Sequence, residues 1–243
     1  MITGKNIVKR FDDFTALDFL SINIPDASVY GLVGPNGAGK TTLFHVIGGN
    51  LAPDTGKVFL NGTDVTGLPP YKIARRHVGR LFQDVRVFPD LSVIDNVQVS
   101  FLHRSDFKLS TTLAWWRRAA REQDRRERAM KWLEFVGLAD KADEPAGELS
   151  FGQQKLLALA RLAALRPALL LLDEPTASLD LTAKEDILGY FMSFRRKGGA
   201  VVLVTHDAEE IALSSECYLL KNGVLTKYDY DGDTRRLVGS FRD

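Results

Sequence analysis

An α/β fold built around a parallel sheet is what three features of this 243-residue chain predict. Short, wholly apolar runs, Leu169–Leu172 and Val201–Val204, have the pattern of central strands covered on both faces. An apolar stretch, Val29–Val33, leads directly into Gly34-Pro35-Asn36-Gly37-Ala38-Gly39-Lys40-Thr41-Thr42 and then into a helical pattern. The early strands alternate apolar and polar positions and carry turn signals, Pro53-Asp54-Thr55-Gly56 and Asn61-Gly62, which suits an antiparallel layer.

Taken in order, strands are expected at Ile2–Lys9, Leu20–Ile24, Val29–Val33, Val58–Leu60, Val78–Phe82, Leu169–Leu172, Val201–Val204 and Tyr218–Leu220. Helices are expected at Lys40–Ile47, Ile94–Val99, roughly Leu113–Val136, Phe151–Leu165, Thr182–Arg195 and Ala208–Leu213. From about Asp84 to Arg161 the pattern is mostly helical and interrupts the α/β alternation. One domain, 1–243, is therefore expected, with a nucleotide-binding core from 1–83 and 162–243 and a helical lobe from 84–161. No period points to a repeat protein.

The bulk properties narrow the function classes. With 45% apolar and 26% charged residues, the composition is that of an ordinary globular protein. A net charge of +1 gives no global reason to expect nucleic acid as a partner. Charge is uneven locally, since Phe101–Arg128 carries eight basic residues against four acidic ones. The single cysteine, Cys217, excludes an internal disulfide and fits a reducing compartment. No signal peptide is visible, and apolar runs such as Ala168–Leu172 fall far short of the roughly 20 residues needed to cross a bilayer. A soluble chain is expected, with any membrane role exercised through partners.

The loop Gly34–Thr42 fits G-x-x-x-x-G-K-[ST], and its strand-before, helix-after setting gives the match a mechanism. Glycines let the backbone wrap closely around phosphates, while N–H groups and the helix dipole attract the anion. Lys40 is placed to reach the β- and γ-phosphates of a nucleotide, Thr41 to ligate Mg²⁺, and Thr42 to touch the α-phosphate. Asp173 ends the four-leucine run, where a carboxylate can orient Mg²⁺ from the sheet edge. Glu174 and Pro175 follow it.

Just upstream, Leu149-Ser150-Phe151-Gly152-Gln153-Gln154 opens a helix. A Ser-x-Gly-Gln-Gln start before an apolar strand ending in Asp-Glu, together with the phosphate loop, resembles the ATP-binding cassette (ABC) ATPases over nearly the whole chain. The resemblance implies a P-loop NTPase (RecA-like) core with an N-terminal antiparallel β layer and an inserted α-helical lobe. It also implies ATP hydrolysis with Mg²⁺. In that reading Glu174 polarises the attacking water. Gln83, directly after the Val78–Phe82 strand, contacts Mg²⁺ and the water. His206, after Val201–Thr205, holds the γ-phosphate and the water in line. Phe11 stacks on adenine, although Phe14 could take that place and either could be core.

Ser150-Phe151-Gly152-Gln153 is also a capping box, which accounts for the serine by itself. It leaves Gly152 unexplained, because a glycine in a first turn is unfavourable. Close approach of a phosphate would explain it. The resemblance implies a head-to-tail dimer in which each ATP lies between one subunit's Lys40 loop and the other's Ser150, Gly152 and Gln153, with Ser178-Leu179-Asp180 across the seam. His206 has a plainer alternative too, as a cap for the next helix.

Finer likeness, in Gly67–Arg75, Phe82–Pro89 and Val136–Gly147, is to the ATPase subunits of branched-chain amino-acid importers. It implies transmembrane permease subunits, a second ABC ATPase and, indirectly, a solute-binding protein as partners, with the chain peripheral at the cytoplasmic face. Phe151 replaces the family's usual tyrosine, and Tyr228-Asp229-Tyr230-Asp231-Gly232-Asp233 replaces its Gly-rich tail. Urea, amides and other solutes stay open. So do a soluble ABC ATPase without a permease and a non-hydrolysing regulatory cassette, the latter opposed by Lys40, Glu174, Gln83 and His206. Trp115-Trp116-Arg117-Arg118 reads either as a contact for a permease or lipid headgroups, or as a helix with one core tryptophan and a solvated basic face.

Overall fold

The computed structural model describes residues 1–102 and 115–228, with side chains from 121 onward in the second stretch. The expected helix start at Leu113, the Trp115–Arg118 side chains and the tail beyond Tyr228 lie outside these described parts. The chain divides into two compact units: Met1–Arg80 with Pro167–Pro175 and Leu188–Asp243, and Leu81–Arg166 with Thr176–Ile187.

The first unit holds two sheets. Strands β1 (Ile2–Phe11), β2 (Phe14–Ile24), β4 (Thr55–Leu60) and β5 (Thr63–Asp64) form an antiparallel sheet in the order β2-β1-β4-β5. Phe11 pairs with Phe14 across a two-residue turn, whose Asp12 adopts φ 50°, a conformation Asp tolerates better than most residues. Strands β3 (Val29–Val33), β6 (Val78–Leu81), β7 (Leu169–Asp173), β8 (Ala200–Val204), β9 (Glu216–Lys221) and β10 (Val224–Tyr228) follow the order β10-β9-β3-β8-β7-β6.

Central strands β3, β7 and β8 are buried at every position and pair in parallel, as their unbroken apolar runs demand. Helix α1 (Lys40–Ile47) follows β3 and sets Leu43, Phe44 and Ile47 into a core shared with Leu32, Leu169, Leu171 and Val202. Phe44 is wholly buried, so its truncation to alanine should cost about 3–5 kcal/mol. The short α7 (Ala208–Ala212) follows β8.

The second unit is helical. Here α3 (Val93–Gln98), α4 (Trp115–Phe135) and α5 (Phe151–Ala164) pack on one another, and Val93, Val97, Ala129, Leu133, Leu157 and Ala160 are buried. The segment Thr176–Ile187, which includes the start of α6 (Leu181–Arg196), groups with this unit rather than with the first.

Three elements escape the sequence pattern: β5, the short α2 (Pro70–Ala74) and β10. Strand β2 also begins at Phe14 rather than Leu20. It is the edge of its sheet, with Phe14, Asp18 and Phe19 exposed and Phe19 at φ 44°, so the alternation is broken there. Strand β10 is an edge too, with most of its residues turned to solvent, and leaves no apolar stripe to read. Among the described residues, no helix is long and apolar enough to cross a membrane.

Candidate active site

In the first unit, three neighbouring parallel strands end in chemistry. Strand β3 feeds the glycine loop, β7 ends on Asp173, and β8 leads through Thr205 to His206. Ligands of open parallel sheets bind at this carboxyl edge.

The loop needs glycine at two positions for a demonstrable reason. A Cβ on Gly34 would strike the carbonyl of Leu220, and one on Gly39, at φ 104°, would strike the carbonyl of Ala16. Gly39 is the N-cap of α1 and offers no side-chain cap, so the first amides of the helix point outward beside the exposed Thr41. Asn36 and Gly37 are also exposed.

Lys40 is nearly buried, and its Nζ donates to the carbonyls of Gly34 at 2.5 Å and Pro35 at 2.9 Å. Burial pulls the ammonium pKa below its ordinary value, while the carboxylates of Asp173 and Glu174 act against that shift. The loop cation and the two strand-end acids thus feel one another directly. Asp173 is buried and pairs with Val204 in the ladder. Glu174 leaves the strand at φ 47°, its N–H donating to the Val204 carbonyl at 2.8 Å.

His206 is exposed, and the cap of α7 is Asp207, whose Oδ1 accepts from the N–H of Glu209 at 2.9 Å and of Glu210 at 3.3 Å. The capping alternative for the histidine therefore has its duty done by the neighbouring aspartate. Phe11 and Phe14 face each other at the hairpin tip and are both exposed, and Lys9 Nζ lies 5.6 Å from the Phe11 ring centre. Neither ring is a core residue.

The second unit carries the remaining candidates. Gln83 is exposed two residues after β6. The loop beyond it is fixed by residues that the sequence reading passed over. Fully buried Asn96 accepts from the Phe88 N–H at 2.9 Å and donates to the Phe88 and Ser92 carbonyls at 3.0 Å. Arg161 donates to the Arg86 carbonyl at 2.7 Å and lies 4.6 Å from the Phe88 ring centre. An asparagine on the apolar face of Val93-Ile94-Asp95-Asn96-Val97 was the available signal.

Ser150 caps α5 in a capping box: its Oγ accepts from the Gln153 N–H at 3.3 Å, and its own N–H donates to Gln153 Oε1 at 3.1 Å. Gly152 has a local reason that the sequence did not disclose. A Cβ there would come within 3.0 Å of the Ser178 carbonyl oxygen. Asp180 immediately precedes α6, its Oδ1 accepting from the Ala183 N–H at 2.9 Å.

The ABC transporter family matches residues 17–177, a stretch that takes in the phosphate loop, the Ser150 helix and Asp173-Glu174. The chain belongs to the ABC transporter family. It is 36% identical over 222 residues to the high-affinity branched-chain amino acid transport ATP-binding protein BraF of Pseudomonas aeruginosa, covering 89% of this chain and 86% of that protein. It is 35% identical over 221 residues to the sulfate/thiosulfate import ATP-binding protein CysA of Chlorella vulgaris, described as probable, over 90% of this chain and 86% of that one. Its fold matches an ATP-binding cassette solved as a dimer in a post-hydrolysis state with ADP and Pi, at TM-score 0.79 and 27% identity, over 95% of this chain and all of that one. The protein is thus an ATP-binding ABC ATPase with the P-loop NTPase fold expected for that family.

Proposed function

We propose that this chain is the ATP-hydrolysing subunit of an importer for branched-chain or other hydrophobic amino acids, or for a related small solute such as urea or an amide. The observation that carries hydrolysis is the shared strand edge where the Lys40 loop, Asp173-Glu174 and His206 end β3, β7 and β8. The likeness to BraF supports the solute class, and the comparable likeness to CysA keeps other solutes in the test.

In this reading the amides of Gly34–Thr42 cradle the phosphates, with Lys40 on the β- and γ-phosphates and Thr42 on the α-phosphate. Thr41, Asp173 and Gln83 would hold Mg²⁺. An exposed hydroxyl at a helix start and a buried strand-end carboxylate suit an ion that keeps few protein ligands and takes the rest from phosphate and water. When bound, that ion neutralises the charge that develops on the phosphates. Glu174 accepts the proton of the attacking water, and His206 donates to the γ-phosphate. Phe11 stacks on adenine through its exposed face. Ser150, Gly152, Gln153 and Asp180 serve the ATP of a second ABC ATPase subunit, identical or paralogous. Two-fold pairing yields two equivalent composite sites.

The partners are transmembrane permease subunits, with a solute-binding protein acting through them, and the chain sits peripherally at the cytoplasmic face of the membrane. Phe88, 43% exposed beside Arg161, supplies an apolar patch for the permease close to Gln83 in the sequence. The test is ATP-driven uptake into vesicles holding the co-purified permease complex, with leucine, urea and sulfate as competing solutes. Leucine uptake supports the solute assignment, and sulfate uptake alone overturns it. Phe88→Asp should detach or uncouple the complex while the isolated chain still hydrolyses ATP.

A further inference from the structure

Lys155 is only 3% exposed, an unusual place for a lysine, and its Nζ donates to the Ala177 carbonyl at 2.8 Å. It lies three residues after Gly152, on the same face of α5, where a Cβ would come within 3.0 Å of the Ser178 carbonyl oxygen. One face of the helix thus bonds one carbonyl of the loop that joins Pro175 to α6 through Lys155 and makes room for the next through Gly152. That loop has little freedom of its own. Ser178 sits at φ 68°, the Leu179 N–H donates to the Thr176 carbonyl at 3.2 Å, and Asp180 caps the next helix.

Burying an ammonium is costly, and an aliphatic side chain would fill the same space without that cost. What an aliphatic side chain cannot do is hold a carbonyl at hydrogen-bond distance. The lysine and the glycine therefore perform one task from the same helix turn.

We infer that Lys155 is a positioning residue that makes the Ser150 end of α5 and the 176–180 loop one mechanical piece, linking the two ATP sites of the dimer. The inference rests on the two-subunit reading above. In that reading Ser150 engages the partner's ATP, whereas Glu174 works on the chain's own ATP and lies two residues before Thr176. Engagement of one ATP by Ser150 then fixes the loop that follows Glu174, and hydrolysis rises cooperatively with ATP. Lys155 touches neither nucleotide and acts through the loop.

The experiment compares the wild-type chain with Lys155→Met and Lys155→Arg. It reads the ATP dependence of hydrolysis, ATP binding by the monomer and the thermal midpoint. The wild type should show a Hill coefficient above 1. Lys155→Met should fall to 1 and lose about tenfold in kcat, the scale of one hydrogen bond from a charged donor, with monomer binding unchanged. Lys155→Arg, which keeps a donor, should regain the cooperativity. Should the methionine variant fail to fold, Lys155→Gln replaces it, with the same fall in Hill coefficient expected because its shorter amide stops short of Ala177. A wild-type Hill coefficient of 1 overturns the inference. So does undiminished cooperativity in a folded variant, or loss of monomer binding in step with stability. If Glu174→Gln with ATP stays monomeric by light scattering, the two-subunit reading itself fails, whatever Lys155 does.

Discussion

Lys40 reaches back across its own loop to donate to the Gly34 carbonyl, six residues earlier, and to the adjoining Pro35 carbonyl. A side chain held so close to the backbone curve that precedes it places its charge inside the loop rather than out in solvent. On the proposed phosphate role of Lys40, Lys40→Ala should weaken ATP binding directly, by about tenfold or more, as expected for loss of a charged donor. Equilibrium binding of a fluorescent ATP analogue measures this. Unchanged affinity would remove Lys40 from the phosphate site.

Asn96 should matter to stability more than exposed Asp95 beside it on α3 does. Its buried amide satisfies the Phe88 N–H and three carbonyls, those of Phe88, Leu91 and Ser92. The three carbonyls keep backbone donors, from Leu91, Ala146 and Asn96 itself, so Asn96→Ala takes the partner only from the Phe88 N–H and leaves a gap where a buried amide stood, at a cost of about 1–3 kcal/mol. Urea unfolding should show the loss, and faster hydrogen exchange of the Phe88 amide should accompany it. An unshifted midpoint would mean that the loop after Gln83 is held by something else.

The proposed composite site makes an asymmetric prediction. Ser150→Arg should suppress hydrolysis while the same chain, as a monomer, binds ATP with wild-type affinity. Ser150 starts a helix in the second unit, whereas the phosphate loop belongs to the first. Loss of monomer binding in this variant would contradict the assignment of Ser150 to the partner's ATP.

Cys217 gives a pH dependence with a definite sign. Burial pushes its thiol up from 9.0 to about 11. Because the folded pKa is the higher one, the stabilisation is fully present below about 9 and fades as pH rises through about 11. The thermal midpoint of the wild type should therefore drop towards that of Cys217→Ala between those values. At pH 8 the native thiol should resist a disulfide reagent that labels it at once in urea.

The sequence disclosed what depends on local pattern. The loop Gly34–Thr42, the buried strands β3, β7 and β8 and the capping box at Ser150 each follow from residues adjacent in the chain. Contacts across long separations stayed hidden. Gly152 answers to a carbonyl at position 178, and Gly34 to one at position 220, and no spacing rule announces either. The cap of α7, expected as the plainer role of His206, belongs to Asp207, which only the geometry shows. Edge strand β10 lacked an apolar stripe because its exposed positions need none.

The central claim is that this chain cleaves ATP with Glu174 inside a two-subunit sandwich. Glu174→Gln keeps the size of the side chain and the backbone bond to Val204, and removes the carboxylate proposed to take the proton of the attacking water. The direct measurement is phosphate release by this variant with Mg²⁺ and ATP, alongside its mass in solution by light scattering. The account predicts hydrolysis reduced by at least about a hundredfold, with ATP retained and a stable dimer formed. Wild-type rates of phosphate release from Glu174→Gln would contradict it.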